Sequence, residues 1–192
     1  SLFTGAYAVY PADYDEASQS TCGDDCLDVY GNLYNWAVVN DERGVCPDGW
    51  HVPSDEEIIE LEMYFGMTEE EANSTGWRGT DEGSKLAGNS DLWINGGDLE
   101  NNSEFGTSGF NGLPAGYRYR SNGYYYTMGY HGYFWSSTEG SSNYAFNREL
   151  IRDYSTVGRV DYNKRSGCSI RCLEDIPGCT DSQATNYNSS AN

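Results

Sequence analysis

CPDGWHVPSDEEIIELEMYF, residues Cys46–Phe65, decides how the chain is read. Ser54 and Glu57 form an S-x-x-E capping box, and Pro53 holds the segment before it extended, so a helix is predicted to start just after Ser54. Ile58, Leu61 and Phe65 then share one face, with Glu56, Glu60 and Glu62 expected largely outside it. Thr68 and Glu71 repeat the box for a second, shorter helix that ends before Gly76. The crowding of Cys46, Trp50, His51 and Pro53 ahead of the helix allows three readings. It is the lip of an active site, a metal site, or the staple of a small extracellular domain.

Composition narrows these readings. The chain has 192 residues with 30 acidic and 11 basic side chains, a formal net charge of −19. Nucleic acid needs Lys and Arg to neutralise phosphates, and such a surface repels it; an anionic membrane surface is disfavoured likewise. No apolar stretch approaches the roughly 20 residues that span a bilayer, so membrane insertion is not expected. The opening residues SLFTGAYAVYP lack basic and long apolar segments, and a signal peptide is expected to have been removed or to lie upstream. Six cysteines, 17 tyrosines and 23 glycines with few lysines describe an exported, loop-rich, disulfide-braced protein. Zinc is a poor alternative, because neither CGDDC (Cys22, Cys26) nor CSIRC (Cys168, Cys172) has a histidine near it.

Outward from the helix, residues 1–19 read as one strand and a loop, and LYNWAVV as a short buried helix or strand. Residues 76–111 are rich in Gly, Asn, Asp and Ser and read as a long structured loop. After Pro114 come strand-like runs: GYRYR, GYYYTMG, GYFWSST, YAFNREL and CSIRCLED. Short helices first and an antiparallel sheet second describe an α+β fold.

Three blocks, VYGNLYNWAVVN…GVCPDGWHVPSDEEIIELEMYFG, GTSGFNGLPAGYR and GYFWSST…GCSIRCLED, occur in this order. Together they resemble the Fibrobacter succinogenes major paralogous domain, a family of secreted bacterial modules. The likeness covers residues 29–175. That family is similar to the C-type-lectin-like and formylglycine-generating-enzyme-like folds, so the resemblance implies a lectin-like domain over residues 1–175. GCTDSQATNYNSSAN looks like the front of a short extracellular repeat, placing a boundary at Ile176-Pro177 and a repeat start in residues 176–192. The chain is expected to continue into such repeats. The resemblance further implies a Cys46–Cys172 disulfide, Trp50 packed beneath the helix, and Pro53 setting the helix direction. A bridge closing so long a loop removes unfolded-chain entropy of about 4–5 kcal/mol in the simple model. The opening stretch is then a staple. For the other cysteines, one scheme pairs Cys22 with Cys26 and Cys168 with Cys179; another joins Cys168 to Cys22 or Cys26.

The remaining candidates are weighed against blander roles. His51 reads as a packed or hydrogen-bonded structural histidine, and His131 has no partner suggested nearby. Formylglycine-generating enzymes bind copper through paired cysteines, but residues four apart on a strand lie about 13 Å apart, so Cys168 and Cys172 do not form such a pair. No catalytic role is expected. Asp98, Glu100, Asn101, Asn102 and Glu104, with Asn111 beyond them, supply the oxygen donors that calcium takes, though a solvated loop is the simpler reading. The lectin sugar signatures Glu-Pro-Asn and Trp-Asn-Asp are missing. Asn73, Asn101 and Asn188 match the N-glycosylation tripeptide.

YRYRSNGYYYTMGYHGYFW, residues 117–135, is the most unusual segment. Its tyrosines Tyr117, Tyr119, Tyr124, Tyr125, Tyr126 and Tyr130 are too dense for one buried face and are expected to form a partner surface for a glycan or protein ligand. The expectation is a non-catalytic extracellular or cell-surface module for ligand binding or adhesion. The alternative is a structural subunit of a filament or coat, contacting copies of itself.

Overall fold

The computed structural model describes residues 4–9 and 25–176. In chain order the first elements are β1 (Tyr7–Ala8), α1 (Cys26–Tyr30), β2 (Leu33–Tyr34), α2 (Trp36–Val39) and β3 (Trp50–His51). Then come α3 (Asp55–Tyr64), α4 (Glu69–Asn73), β4 (Gly76–Arg78), α5 (Glu82–Leu86) and α6 (Asp98–Asn101). The second half holds β5 (Tyr117–Arg118), β6 (Tyr125–Tyr126), β7 (His131–Glu139), β8 (Tyr144–Ile151), β9 (Val157–Asn163) and β10 (Leu173–Glu174). The helices are short and the strand pairings antiparallel, a mixed α and β architecture.

β4, β9, β8 and β7 form the central sheet in that order. Side-chain alternation gives it two faces. Phe134, Arg148 and Arg159 are cross-strand neighbours on one face; Tyr133, Glu149 and Gly158 are neighbours on the other. Trp77 joins the second row opposite Gly158, where a Cβ would meet the indole ring at 3.1 Å. A side chain at 158 therefore requires the indole to shift by a few tenths of an ångström.

α3 packs on the Arg148 face, and both predicted capping boxes form, at Ser54–Glu57 and Thr68–Glu71. Its buried residues are Asp55, Ile58, Ile59 and Glu62, so the expectation that Glu62 lies outside is corrected. The reason is in the sheet. Arg148 bonds both carboxylates, at 2.6 Å to Asp55 and 2.7 Å to Glu62, while Arg159 reaches Asp55 and Arg78 reaches Glu62, each at 2.5 Å. Spare donors go to the Val157 and Asn73 carbonyls. Burial works against charge on Asp55, but the two guanidiniums outweigh it and hold the carboxyl below its usual range. Around this network lies an apolar core of Ile59, Met67, Leu86, Trp93, Leu99, Phe134, Leu150 and Val157.

The Cys46–Cys172 disulfide is present, with Cα atoms 5.8 Å apart across 126 residues of sequence. It is reinforced by the β3–β10 pair and by His51, whose Nδ1 lies 2.7 Å from Asp175 and Nε2 2.9 Å from Glu57. Trp50 is not packed beneath the helix; it is 43% exposed. Neighbouring strand residues face opposite ways, so only one of Trp50 and His51 can turn toward α3, and the histidine takes that place.

LYNWAVV divides into β2 and α2, with Trp36 donating to the Ser136 carbonyl at 2.9 Å. CSIRC forms isolated bridges rather than a full strand. VGRVDYN, not singled out in the sequence, is β9 at the sheet interior. Cys168 is a buried free thiol, which corrects both pairings assigned to it. It sits among Trp36, Tyr133, Trp135 and Ala145, with no second sulfur of the described residues against it, and burial pushes its pKa well up. Cys26 is disulfide-bonded. Cys22 and Cys179 lie outside the described residues, as do residues 177–192 and Asn188.

Candidate functional site

The tyrosine-rich segment folds as a small hairpin over the Tyr133 face of the sheet. β5 pairs with β6, setting Tyr117 opposite Tyr126 and Arg118 opposite Tyr125. Gly123, at φ +76, closes the turn, and the Asn122 side-chain oxygen Oδ1 accepts from the Tyr124 backbone N–H at 3.0 Å.

The six tyrosines divide into three groups. Tyr117, Tyr119 and Tyr126 turn inward. Tyr117 lies 5.0 Å from Tyr133, 5.7 Å from Tyr162 and 5.7 Å from Tyr126, ring centre to ring centre. Tyr125 packs against the smaller core of Cys26, Leu33, Ala115 and Met128, beneath the Arg118 guanidinium. Tyr124 and Tyr130 point out, 49% and 41% exposed. Tyr130 is backed by Arg152 at 5.1 Å, and Arg120 stands 5.4 Å from the Tyr119 ring. The predicted continuous surface is thus a packed aromatic base carrying an outer rim of Tyr124, Tyr130 and Arg120. Alternation alone could not reveal the division, because the inward set is chosen by tyrosines donated from β7 and β9.

Polar groups under the base have displaced titrations. His131 Nδ1 lies 2.9 Å from the Tyr133 hydroxyl, so it has a partner after all, and burial lowers its pKa. Burial raises Tyr133 and Tyr162 above the usual phenol range. Glu149, next to Tyr133 across the strands, is raised to about 7 by burial. No ion pair is formed by Glu149 among the described residues. Thr127, a β-branched residue at φ +63, makes the tight turn that leads from β6 into this region.

In the oxygen-rich loop the carboxylates are dispersed among the described residues. Among the described residues no group of three or more His, Cys, Asp or Glu side chains is placed to hold a metal, so Asp98, Glu100 and Glu104 do not converge. Asp98 and Glu100 stand two apart on α6, a spacing that turns side chains to different sides of a helix. Their neighbours' oxygens and amides serve the local backbone: Glu100 accepts from Gly96 at 2.6 Å, Asn102 accepts from Glu104 at 2.9 Å, and Asn101 donates to Gly97 at 2.8 Å. Asn73 and Asn101 are exposed, and the Asn73 amide donates to the Glu69 carbonyl at 2.8 Å.

The profile of the Fibrobacter succinogenes major domain matches residues 7–174, and the chain belongs to that family. No curated protein and no solved structure matches the chain.

Proposed function

We propose that this member of the Fibrobacter succinogenes major domain family is a non-catalytic ligand-binding or adhesion module of a larger secreted or cell-surface bacterial protein. The observation that carries the reading is the outer rim of the hairpin. Tyr124 and Tyr130 are exposed on a base of packed rings, so their hydroxyl-tipped faces are presented with little freedom left to lose on binding. Such rings suit stacking on a glycan or packing against a protein. The helix-first, sheet-last order and the staple from the start of α3 to the closing strand support a C-type-lectin-like arrangement. Residues 176–192 are proposed to begin a separate repeat. Both histidines are engaged structurally, His51 by two carboxylates and His131 by Tyr133, which favours binding over catalysis.

The test is a glycan and peptide array probed with the wild type and with Tyr124→Ser/Tyr130→Ser, whose folding is checked by thermal melting. Binding by the wild type that the folded variant loses supports the reading. Binding that the variant keeps places the ligand elsewhere.

A second reading, a subunit that assembles with copies of itself, is favoured by how the surface charges are segregated.

A further inference from the structure

In so acidic a chain, an exposed cation has carboxylates to choose from. Arg78, Arg148, Arg159 and Lys164 are buried. Arg43, Lys85 and Arg152 pair with Asp41, Asp81 and Asp153. Arg171 donates to the Asn111 carbonyl and lies over Phe134. The cations left over are Arg118, Arg120 and Arg165, and none of them forms an ion pair among the described residues. Two of them lie together, and the third is their neighbour in sequence. Arg118 and Arg165 line one small pocket of about 50 Å³ together with Tyr7 and Asn35. Arg120 follows Arg118 by two residues, and both stand over tyrosine rings.

A stripe of the opposite sign, without ion pairs among the described residues, runs along α3, where Glu56 accepts only from the Thr138 hydroxyl at 3.3 Å. Glu56, Glu60 and Tyr64 are spaced by four along α3, a spacing that aligns them on one helix face. Tyr64 is 83% exposed, and neither glutamate forms an ion pair among the described residues. Glu69 and Glu70 extend the acidic surface at the start of α4. α3 packs on the Arg148 face of the sheet and the β5–β6 hairpin on the Tyr133 face, so the two patches look away from each other.

We infer that the Arg118–Arg120–Arg165 patch docks the Glu56–Glu60–Tyr64 stripe of a second copy of this chain. The contact joins different patches on the two copies, so each copy keeps a free patch and a free stripe, and the interaction repeats into an open chain unless the rotation closes it. A foreign polyanion would satisfy the arginines but leave the stripe and its exposed tyrosine unexplained; a second copy accounts for both. This inference builds on the second reading above and needs no outside ligand, so its failure leaves the array result standing.

Sedimentation velocity of the full chain tests it. The weight-average mass should rise with concentration at low salt and fall at about 0.5 M salt, where the screening length shrinks to a few ångströms. Arg120→Glu/Arg165→Glu and Glu56→Lys/Glu60→Lys should each weaken association at least tenfold. An equimolar mixture of the two variants should recover it, since each reversed patch then meets a reversed stripe. The lysine variant also reduces the overall negative charge, so a general repulsion would make it associate better, not worse. Circular dichroism verifies folding, and Arg120→Gln/Arg165→Gln with Glu60→Gln replace any variant that misfolds. A wild type that stays monomeric, variants that associate undiminished, or a mixture that fails to recover overturns the inference. Capture of an acidic polysaccharide by a chain that remains monomeric overturns it as well.

Discussion

Arg148 bonds Asp55 at 2.6 Å and Glu62 at 2.7 Å, so one guanidinium on the central strand joins two buried carboxylates about two turns apart on α3. The pair fixes both the rotation of the helix and its position along β8. Arg148→Ala leaves both carboxylates short of a partner in the interior and is expected to destabilise the fold by about 3–5 kcal/mol. Arg148→Lys keeps the charge but cannot reach both acids at once, and should fall in between. Urea denaturation of the three proteins reads the order.

The Cys46–Cys172 bridge closes a loop long enough for the chain-entropy model to give about 5 kcal/mol, an upper limit where the native geometry already fits. Replacing both cysteines by alanine should lower the melting temperature markedly, and His51→Asn by a smaller amount. Peptide mapping without reductant should recover Cys46 joined to Cys172. Cys168 should resist alkylation until the protein is unfolded, because its thiol is buried and its pKa raised. Rapid labelling of Cys168 in the native state would contradict its placement.

Stability should fall as pH rises toward neutrality. Glu149 has a folded pKa of about 7, above the ordinary carboxyl value of its unfolded form, so the folded state holds the proton more tightly. Its contribution is complete below about pH 4.5 and is lost as pH rises through about 7, amounting to roughly 3 kcal/mol. For His51, burial works against the charge, but Asp175 and Glu57 outweigh it and raise the pKa, which gives the same sign. The histidine term is present below about pH 6.5 and disappears as pH climbs past its folded value. Denaturation between pH 5 and pH 8 should show this decline, and Glu149→Gln should flatten most of it. An unchanged slope in the variant would assign the decline elsewhere.

Tyr124 and Tyr126 are expected to behave differently on substitution. Tyr126 packs on Tyr117 and Tyr119 and accepts from Asn122 at 2.9 Å, so Tyr126→Ser should cost about 1–3 kcal/mol. Tyr124→Ser should stay within about 0.5 kcal/mol and affect binding alone. Chemical denaturation of the two single variants separates packing from recognition. Equal losses would mean that the hairpin is a single core unit.

Local rules written within a few residues were legible in the sequence. Both capping boxes form because Ser54 with Glu57, and Thr68 with Glu71, need only their own turn of helix. The strand runs around GYFWSST and YAFNREL became the β7–β8 hairpin of the four-stranded sheet, because alternation and turn residues also act at short range. The family blocks carried the staple, since a disulfide bond pattern travels with its flanking residues. The first half of β9 was less readable: burial there favours Val157, Gly158 and Arg159 in succession, which masks the strand period.

What the sequence determined by itself was the acidic, aromatic composition, the start of the two capped helices, and the family with its staple. Which polar residues go inside was decided by tertiary structure. Glu62 has the exposed look of Glu56 and Glu60, yet it is buried because Arg78 and Arg148 arrive from distant strands to neutralise it. Likewise Tyr126 turns inward onto Tyr117, which rests on Tyr133 and Tyr162, whereas Tyr124 in the turn before β6 is exposed. The cost of burying a charge or a hydroxyl is set by the partners that meet it, and those partners lie beyond the reach of local sequence.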